Sequence, residues 1–158
     1  MTTRSRTAVR RAAAEATPAQ TDLGPLPALV GYALRRAQLA VFQDFVETMA
    51  ALDIRPAQFS VLLLIERNPR VNQAQIGEAL GIKPANLAVM LNELAARGFA
   101  ERRPGALDRR AHALHLTTAG RALMRHLHAR VADHERRLVE RLGTTGKAQL
   151  LRLLARLT

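Results

Sequence analysis

Apolar residues recur every three or four positions along most of the chain, and in one short stretch the spacing drops to two. From the N-terminal side the first series is Leu26, Val30, Ala33, Ala37, Val41, Phe45, Met49 and Leu52. Such steps place one face of a helix against a core. Leu29, Leu34 and Phe42 widen that face, and a helix apolar over so much of its girth needs more than one partner. The pattern predicts a first helix from Pro25–Pro27 to about Leu52, part of it packed on a second subunit. A second helix is expected from Pro56, a residue suited to the first helical position. Phe59, Leu62, Leu63 and Ile65 face inward and Asn68-Pro69 ends it. The third opens on Asn72 with Gln75 three residues later, a reciprocal capping pattern. It buries Ile76, Ala79 and Leu80 and stops at Gly81. The fourth starts at Lys83-Pro84, turns Leu87, Leu91 and Leu94 inward and stops at Arg97-Gly98.

Then the period changes. Phe99 to Arg103 reads as a strand, and Ala111 to Leu116 alternates, with His112, Leu114 and Leu116 on one side. The segment PGALDRR between them makes a β-hairpin with a long basic tip. Thr117 or Thr118 caps a fifth helix whose apolar line is Leu123, Leu127, Val131, Leu138 and Leu142. Gly143 breaks it, and Thr144 or Thr145 caps a sixth helix carrying Leu150, Leu151, Leu153, Leu154 and Leu157. A short helix so rich in leucine is not stable alone and must dock. The first and sixth helices are the expected subunit interface.

Charge narrows the choice of partner. The 158 residues carry a net +11, of which Arg4, Arg6, Arg10 and Arg11 against Glu15 and Asp22 account for +2 and the remaining chain for +9. Such a field favours a polyanion, nucleic acid before an anionic membrane surface, although it also serves solubility alone. All basic residues but Lys83 and Lys147 are arginine, which pairs with phosphate or guanine in a bidentate way. The chain has no cysteine. Disulfides, thiolate metal sites and cysteine nucleophiles are thereby excluded, in keeping with a reducing cytoplasm. No apolar run approaches the roughly 18–20 residues that cross a bilayer, so no membrane partner is expected.

Two short helices joined at Gly81-Ile82 make a helix-turn-helix candidate, a weak signal by itself. The full order of helix, helix, glycine turn, helix and basic hairpin is more specific. The second helix of the pair has the width to enter a major groove, with the hairpin beside it. The expected fold class is mainly α with a small β-hairpin wing: a winged helix-turn-helix plus N- and C-terminal dimerisation helices. Residues 25–158 form a single domain, in which 25–52 and 117–158 are the dimerisation helices and 53–116 the DNA-binding lobe. Residues 1–24 lack helical periodicity and read as a disordered basic tail. Their composition imitates an organelle transit peptide, but a loose arm near DNA suits a chain with this order of elements better.

The run RPAQFSVLLLI, followed by VNQAQIGEALGIKPANLAVMLNELAARGFAERRPGALDRRAHALHLTTAG, resembles the MarR family of bacterial regulators. The resemblance extends from about Leu26 to the C-terminus. Its most specific part is Asp108-Arg109-Arg110, which matches the family's wing pattern D-x-R ahead of an L-T-x-x-G helix start. It implies an obligate dimer with a winged helix in each subunit, and a small-molecule pocket where the dimerisation helices meet the DNA-binding lobe.

On that resemblance Arg110 is the wing arginine that enters the minor groove, where negative potential concentrates; the plainer reading is a phosphate contact or a free surface charge. Asp108 orients Arg110 or shapes the turn. Arg109, Arg103 and Arg102 are phosphate contacts or solvated wing charges. On the fourth helix the outward positions are Lys83, Ala85, Asn86, Ala88 and Val89, a departure from the family's Ser-, Thr- and Arg-rich pattern. Asn86 suits an adenine edge, Ala85, Ala88 and Val89 suit thymine methyls, and Lys83 suits phosphate or guanine. The expected operator is pseudo-palindromic, with A·T-rich contacts and a shape component. The alanines serve equally as plain helix-forming surface. Asn72 and Gln73 sit at a helix N-terminus that favours phosphate, though simple capping explains Asn72 as well.

Tyr32, Arg35 and Arg36 lie together on the first helix. An aromatic ring with two guanidiniums suits a small aromatic acid or an aromatic acyl-CoA, and Arg55 can face the same ligand. Solvated arginines, or arginines paired with acids at the interface, are the blander reading. Phe42 and Phe45 are expected in the core. The histidines do not assemble ligand spacing. His112 and His115 fall on opposite strand faces, His126 and His128 diverge on a helix, and His134-Glu135 lacks the second histidine of a zinc-protease helix. Neither a metal, a cofactor nor an enzymatic activity is expected. The leading reading is a ligand-responsive repressor acting as a homodimer on double-stranded DNA. A ligand-independent architectural DNA-binding protein and a protein–protein adaptor with the same fold are the alternatives.

Overall fold

The computed structural model describes residues 21–104 and 112–157, and the chain divides between Gln38 and Leu39 into two units. In the first, Asp22 Oδ1 accepts the Gly24 N–H at 2.9 Å, and a single 3-10 turn follows at Leu26–Ala28. Helix α1 begins only at Val30 and runs to Met49, later than the start at Pro25–Pro27 that periodicity suggests. Leu29 is extended at φ −87°, ψ 127°, so the turn is not continuous with α1. Tyr32 is half-buried, while Arg35, Arg36 and the apolar Leu26, Leu29, Val30 and Leu34 are exposed.

In the second unit α1 ends in another 3-10 turn, Ala50–Leu52, rather than continuing as α-helix to Leu52. Asp53 then takes a left-handed conformation at φ 48°, a region that Asp visits more readily than most residues. Phe45 and Met49 are buried, whereas Phe42, expected in the core, stands out at 49% exposure. Helix α2, Pro56–Arg67, starts on its proline and buries Val61, Leu62 and Ile65. Helix α3, Gln73–Leu80, opens with the reciprocal cap: Asn72 Oδ1 accepts the Gln75 N–H at 3.0 Å and Gln75 Oε1 accepts the Asn72 N–H at 2.9 Å. Ile76 is fully buried, but Ala79 is exposed. Gly81 ends α3 at φ 62°. Helix α4, Pro84–Ala96, buries Leu87, Leu91 and Leu94.

Strands β1, Ala100–Pro104, and β2, His112–Leu116, pair antiparallel in the register Ala100↔Leu116, Arg102↔Leu114 and Pro104↔His112. The first strand starts one residue later than expected because the backbone of Phe99 is committed elsewhere. Its N–H donates to Leu94 O at 2.9 Å and its carbonyl accepts the Thr117 N–H at 3.1 Å. On β2, Leu114 and Leu116 are buried as the alternation requires, but His112 on the same side is exposed. Ala113 is buried instead, because it bridges to Asn72 and the Leu114 N–H donates to Val71 O at 2.8 Å. The hairpin is thereby fastened to the α2–α3 connection.

Helix α5, Thr118–Leu154, carries one break, at Gly143 (φ 69°, ψ 161°), where the apolar pattern places the boundary between two helices. The Thr117 hydroxyl accepts the Gly120 N–H at 2.9 Å and donates to Gly98 O at 2.5 Å. Gly120 lies against the Phe99 carbonyl so closely that a Cβ there would sit 2.0 Å from its oxygen. Met49, Val61, Leu62, Ile76, Leu87, Leu94, Met124 and Leu127 make the centre of the core. Beyond Gly143 the leucines 150, 151, 153 and 157 are exposed. No single helix among the described residues is long and apolar enough to cross a membrane.

Candidate nucleic-acid interface

Helices α3 and α4 meet across the Gly81 turn. Gly77 lets them approach, since a Cβ there would stand 3.2 Å from Ile82 O. Gln73 Nε2 donates to Pro84 O at 3.4 Å, tying the start of α3 to the start of α4. Gln73, Ala74, Gly77, Glu78, Ile82 and Pro84 line a surface pocket of about 540 Å³ there. The Asn72 carboxamide oxygen is occupied by its own cap. With three leucines of α4 buried, Lys83, Ala85, Asn86 and Val89 are exposed and Ala88 is half-buried. This is the outward row the sequence assigns to base reading. Val89 is 58% exposed, a large apolar surface left in water on an otherwise small-residue face.

The arginines of β1 have partners. Arg102 Nη1 donates to Asn92 Oδ1 on α4 at 3.0 Å, which fastens the strand to the helix. Arg103 donates twice to Glu101, at 2.9 and 2.5 Å. Asp108, Arg109 and Arg110 lie outside the described residues. Arg55 is exposed just before α2, and a cleft of about 260 Å³ runs from it to Asn86, Val89 and Glu93 on α4.

Three polar arrangements are not visible in the sequence pattern. Gln58 is buried and bridges α2 to α4, its Oε1 accepting the Arg55 N–H at 3.0 Å and its Nε2 donating to Glu93 at 3.1 Å. Arg97 reaches the Leu52 and Asp53 carbonyls at the end of the 3-10 turn that follows α1. Asp44 on α1 is gripped by α5: Arg137 donates to it at 3.2 and 3.0 Å, His134 Nδ1 lies 2.5 Å from Oδ2, and Arg137 also bonds the Thr48 hydroxyl. The Arg137 hydrogen bond, with a lesser contribution from His134, holds the Asp44 carboxyl below its ordinary value despite partial burial. His134, 4% exposed and edge-on to the Phe45 ring, is a structural group rather than a free ligand. The one available signal was its place on the inward line of α5 between Val131 and Leu138.

A family model described as MarR family matches residues 52–111, from the end of the turn that follows α1 to the residue before β2. A solved transcriptional repressor, CouR, bound to a 23-mer DNA duplex, is 45% identical to the chain. It superposes with a TM-score of 0.83 over 87% of this chain and 98% of that one. The chain belongs to the MarR family. CouR bound to p-coumaroyl-CoA is 44% identical, with a TM-score of 0.81 over 86% of this chain and 96% of that one. A putative transcriptional regulatory protein for the hcr operon of Thauera aromatica is 27% identical over 146 residues, 89% of this chain and 88% of its own. The chain thus has the winged-helix architecture of MarR-family transcriptional regulators, and β1–β2 is its wing.

Proposed function

We propose that the chain is a homodimeric repressor that binds a pseudo-palindromic DNA duplex and leaves it when an aromatic acyl-CoA, or a small aromatic acid, binds. The observation that carries this reading is the solvent-facing row Lys83, Ala85, Asn86 and Val89 on α4 beside an arginine-bearing wing, in a chain 45% identical to a repressor solved on a duplex. Dimer formation covers the leucines left in water beyond Gly143, Leu29 ahead of α1 and Val30 at its start; patches of that kind mark interaction surfaces. Each dimer sets two α4 helices in successive major grooves about one helical turn apart. Arg110 enters the minor groove; Lys83, Arg102, Arg103 and Arg109 reach phosphates, Arg102 and Arg103 by exchanging their present partners for DNA. Asn72 and Gln73 meet phosphate at the α3 N-terminus.

The proposed effector site includes Tyr32, Arg35, Arg36 and Arg55. CouR's complex with p-coumaroyl-CoA supports an effector in which an aromatic acyl group is joined to a polyphosphate, a charge that guanidiniums match. Release requires the ligand to bind the DNA-incompetent arrangement better than the competent one. The protein acts as a cytoplasmic regulator rather than an enzyme.

Selection of duplexes from a randomised library, followed by band shifts, tests the reading. Specific complexes that dissociate on adding p-coumaroyl-CoA are expected. Specific complexes that no aromatic acid or acyl-CoA disturbs turn the assignment to a ligand-independent DNA-binding protein. Binding indifferent to sequence at physiological salt leaves an adaptor or bulk charge.

A further inference from the structure

Arg97 is the C-cap of α4, yet its guanidinium serves another helix. Nη1 donates to the Asp53 carbonyl at 2.7 Å and Nη2 to the Leu52 carbonyl at 3.1 Å, with the Asp53 carboxylate 3.7 Å away. Those carbonyls belong to the turn that ends α1. Carbonyls at a helix end lack intrahelical partners and form the negative pole of the helix. A rigid fork of parallel N–H donors satisfies two adjacent ones together in a preorganised geometry, whereas the rotatable donors of a lysine ammonium on a flexible stem fix the pair less firmly. The same guanidinium lies 5.0 Å from the centroid of the Phe99 ring, and Phe99 is the residue whose backbone joins α4 to the start of α5. One side chain therefore meets the end of α1, the end of α4 and the root of the wing. The junction it holds is where the chain bends by 69° between α1 and α2, through the left-handed Asp53. Farther up α1, Asp44 fastens that helix to α5.

We propose that Arg97 is a positioning residue that fixes the angle between α1 and α4, and through it the separation of the two α4 helices in the dimer. The inference rests on the dimeric, duplex-reading function above, because only a fixed separation matches successive major grooves. Loss of Arg97 leaves α4's own base-reading face intact and loosens the distance between two such faces.

The chain has no cysteine, so Ala95→Cys, exposed on α4, accepts one spin label per protomer. Pulsed dipolar spectroscopy of the full chain should give one narrow intermolecular distance. Arg97→Gln should at least double its width, with Arg97→Lys between the two, while thermal melts confirm that each variant is folded. On library-selected duplexes, Arg97→Lys should lower the preference for the selected half-site spacing over one a base pair longer by about 5-fold, with binding to a non-specific duplex unchanged. No intermolecular distance in the parent would remove the dimer reading and this inference together. A dimeric parent whose distance stays equally narrow in Arg97→Gln overturns the positioning role alone. So does a parallel loss of specific and non-specific binding, or unfolding of both Arg97 variants.

Discussion

Helix α4 and strand β1 stand side by side and are opposites in chemistry. The exposed row of α4 is small and uncharged after Lys83, and nothing among the described residues covers Ala85, Asn86 or Val89. The arginines of β1 are charged, and both already hold internal partners, Asn92 and Glu101. Under the proposed function the difference becomes a division of labour. The helix is then the part that discriminates, by methyl contacts and one carboxamide, which yields sequence preference with little electrostatic pull. The wing is then the part that supplies the pull, sensitive to salt and largely independent of sequence, once its arginines exchange their present partners for DNA.

The comparison breaks entirely if helix and wing lose their common support. Gly120→Ala places a methyl group against the Phe99 carbonyl and should cost roughly 3 kcal/mol or more, as overpacked sites do. The expected outcome is a thermal midpoint lower by many degrees and no specific DNA complex. A wild-type melting curve would show that the close approach is relaxed at no cost. Next in size, Asn86→Ala should weaken the selected duplex about 10-fold and relax the preference at one A·T pair, read by competition with single-base variants of the site. Library selection returning only G·C-rich half-sites would remove this role of α4. A smaller effect, of opposite sign, is expected from Glu101→Gln. It removes the charge of the carboxylate that holds Arg103, weakening that pair, and should strengthen binding to every duplex about 2-fold, with a steeper dependence on salt.

The smallest effect near neutral pH is a control on the dimerisation side. Asp44 is held below its ordinary value of 3.8, chiefly by the Arg137 hydrogen bond. Its folded value is depressed, so the stability it contributes is present above the unfolded value and is lost as pH falls through the folded one. Thermal melts from about pH 5 down to about pH 2 should therefore show an acid-dependent drop, and this drop should be shallower in Asp44→Asn. An identical acid limb in both proteins would contradict the assignment.

The elements of the lobe were legible in the sequence because their signals are local. Pro56, the Asn72–Gln75 pair, Gly81 and Pro84 each fix a helix end within a few residues, and the structure uses every one of them. Gly143 and the Thr117 cap were legible for the same reason. Periodicity indicated which face of a helix is apolar without saying what covers it. Hence Phe42 and Ala79, on apolar stripes, lie exposed, and Ala113 is buried through a bridge to Asn72 that strand alternation cannot register. The start of α1 was misplaced because a proline suited to a helix start also permits an isolated 3-10 turn. The Asp44–His134–Arg137 cluster and the reach of Arg97 to Asp53 join residues 44 to 93 positions apart, and no local pattern announces such pairs. In the candidate interface the buried leucines of α4 indicate the exposed positions Lys83, Ala85, Asn86 and Val89 but not that Ala88 is half-buried, and no local pattern indicates the partners of Arg102 and Arg103. The roles of Asp108, Arg109 and Arg110 rest on the D-x-R wing pattern.

The division of labour is tested most directly by titrating one library-selected duplex and one scrambled duplex with the wild type, Arg110→Ala and Asn86→Ala over a series of salt concentrations. Arg110→Ala should weaken both duplexes and reduce the slope of log affinity against log salt by about 1. Asn86→Ala should weaken only the selected duplex and leave the slope unchanged. Equal losses on both duplexes for Asn86→Ala, or a slope untouched by Arg110→Ala, would contradict the account.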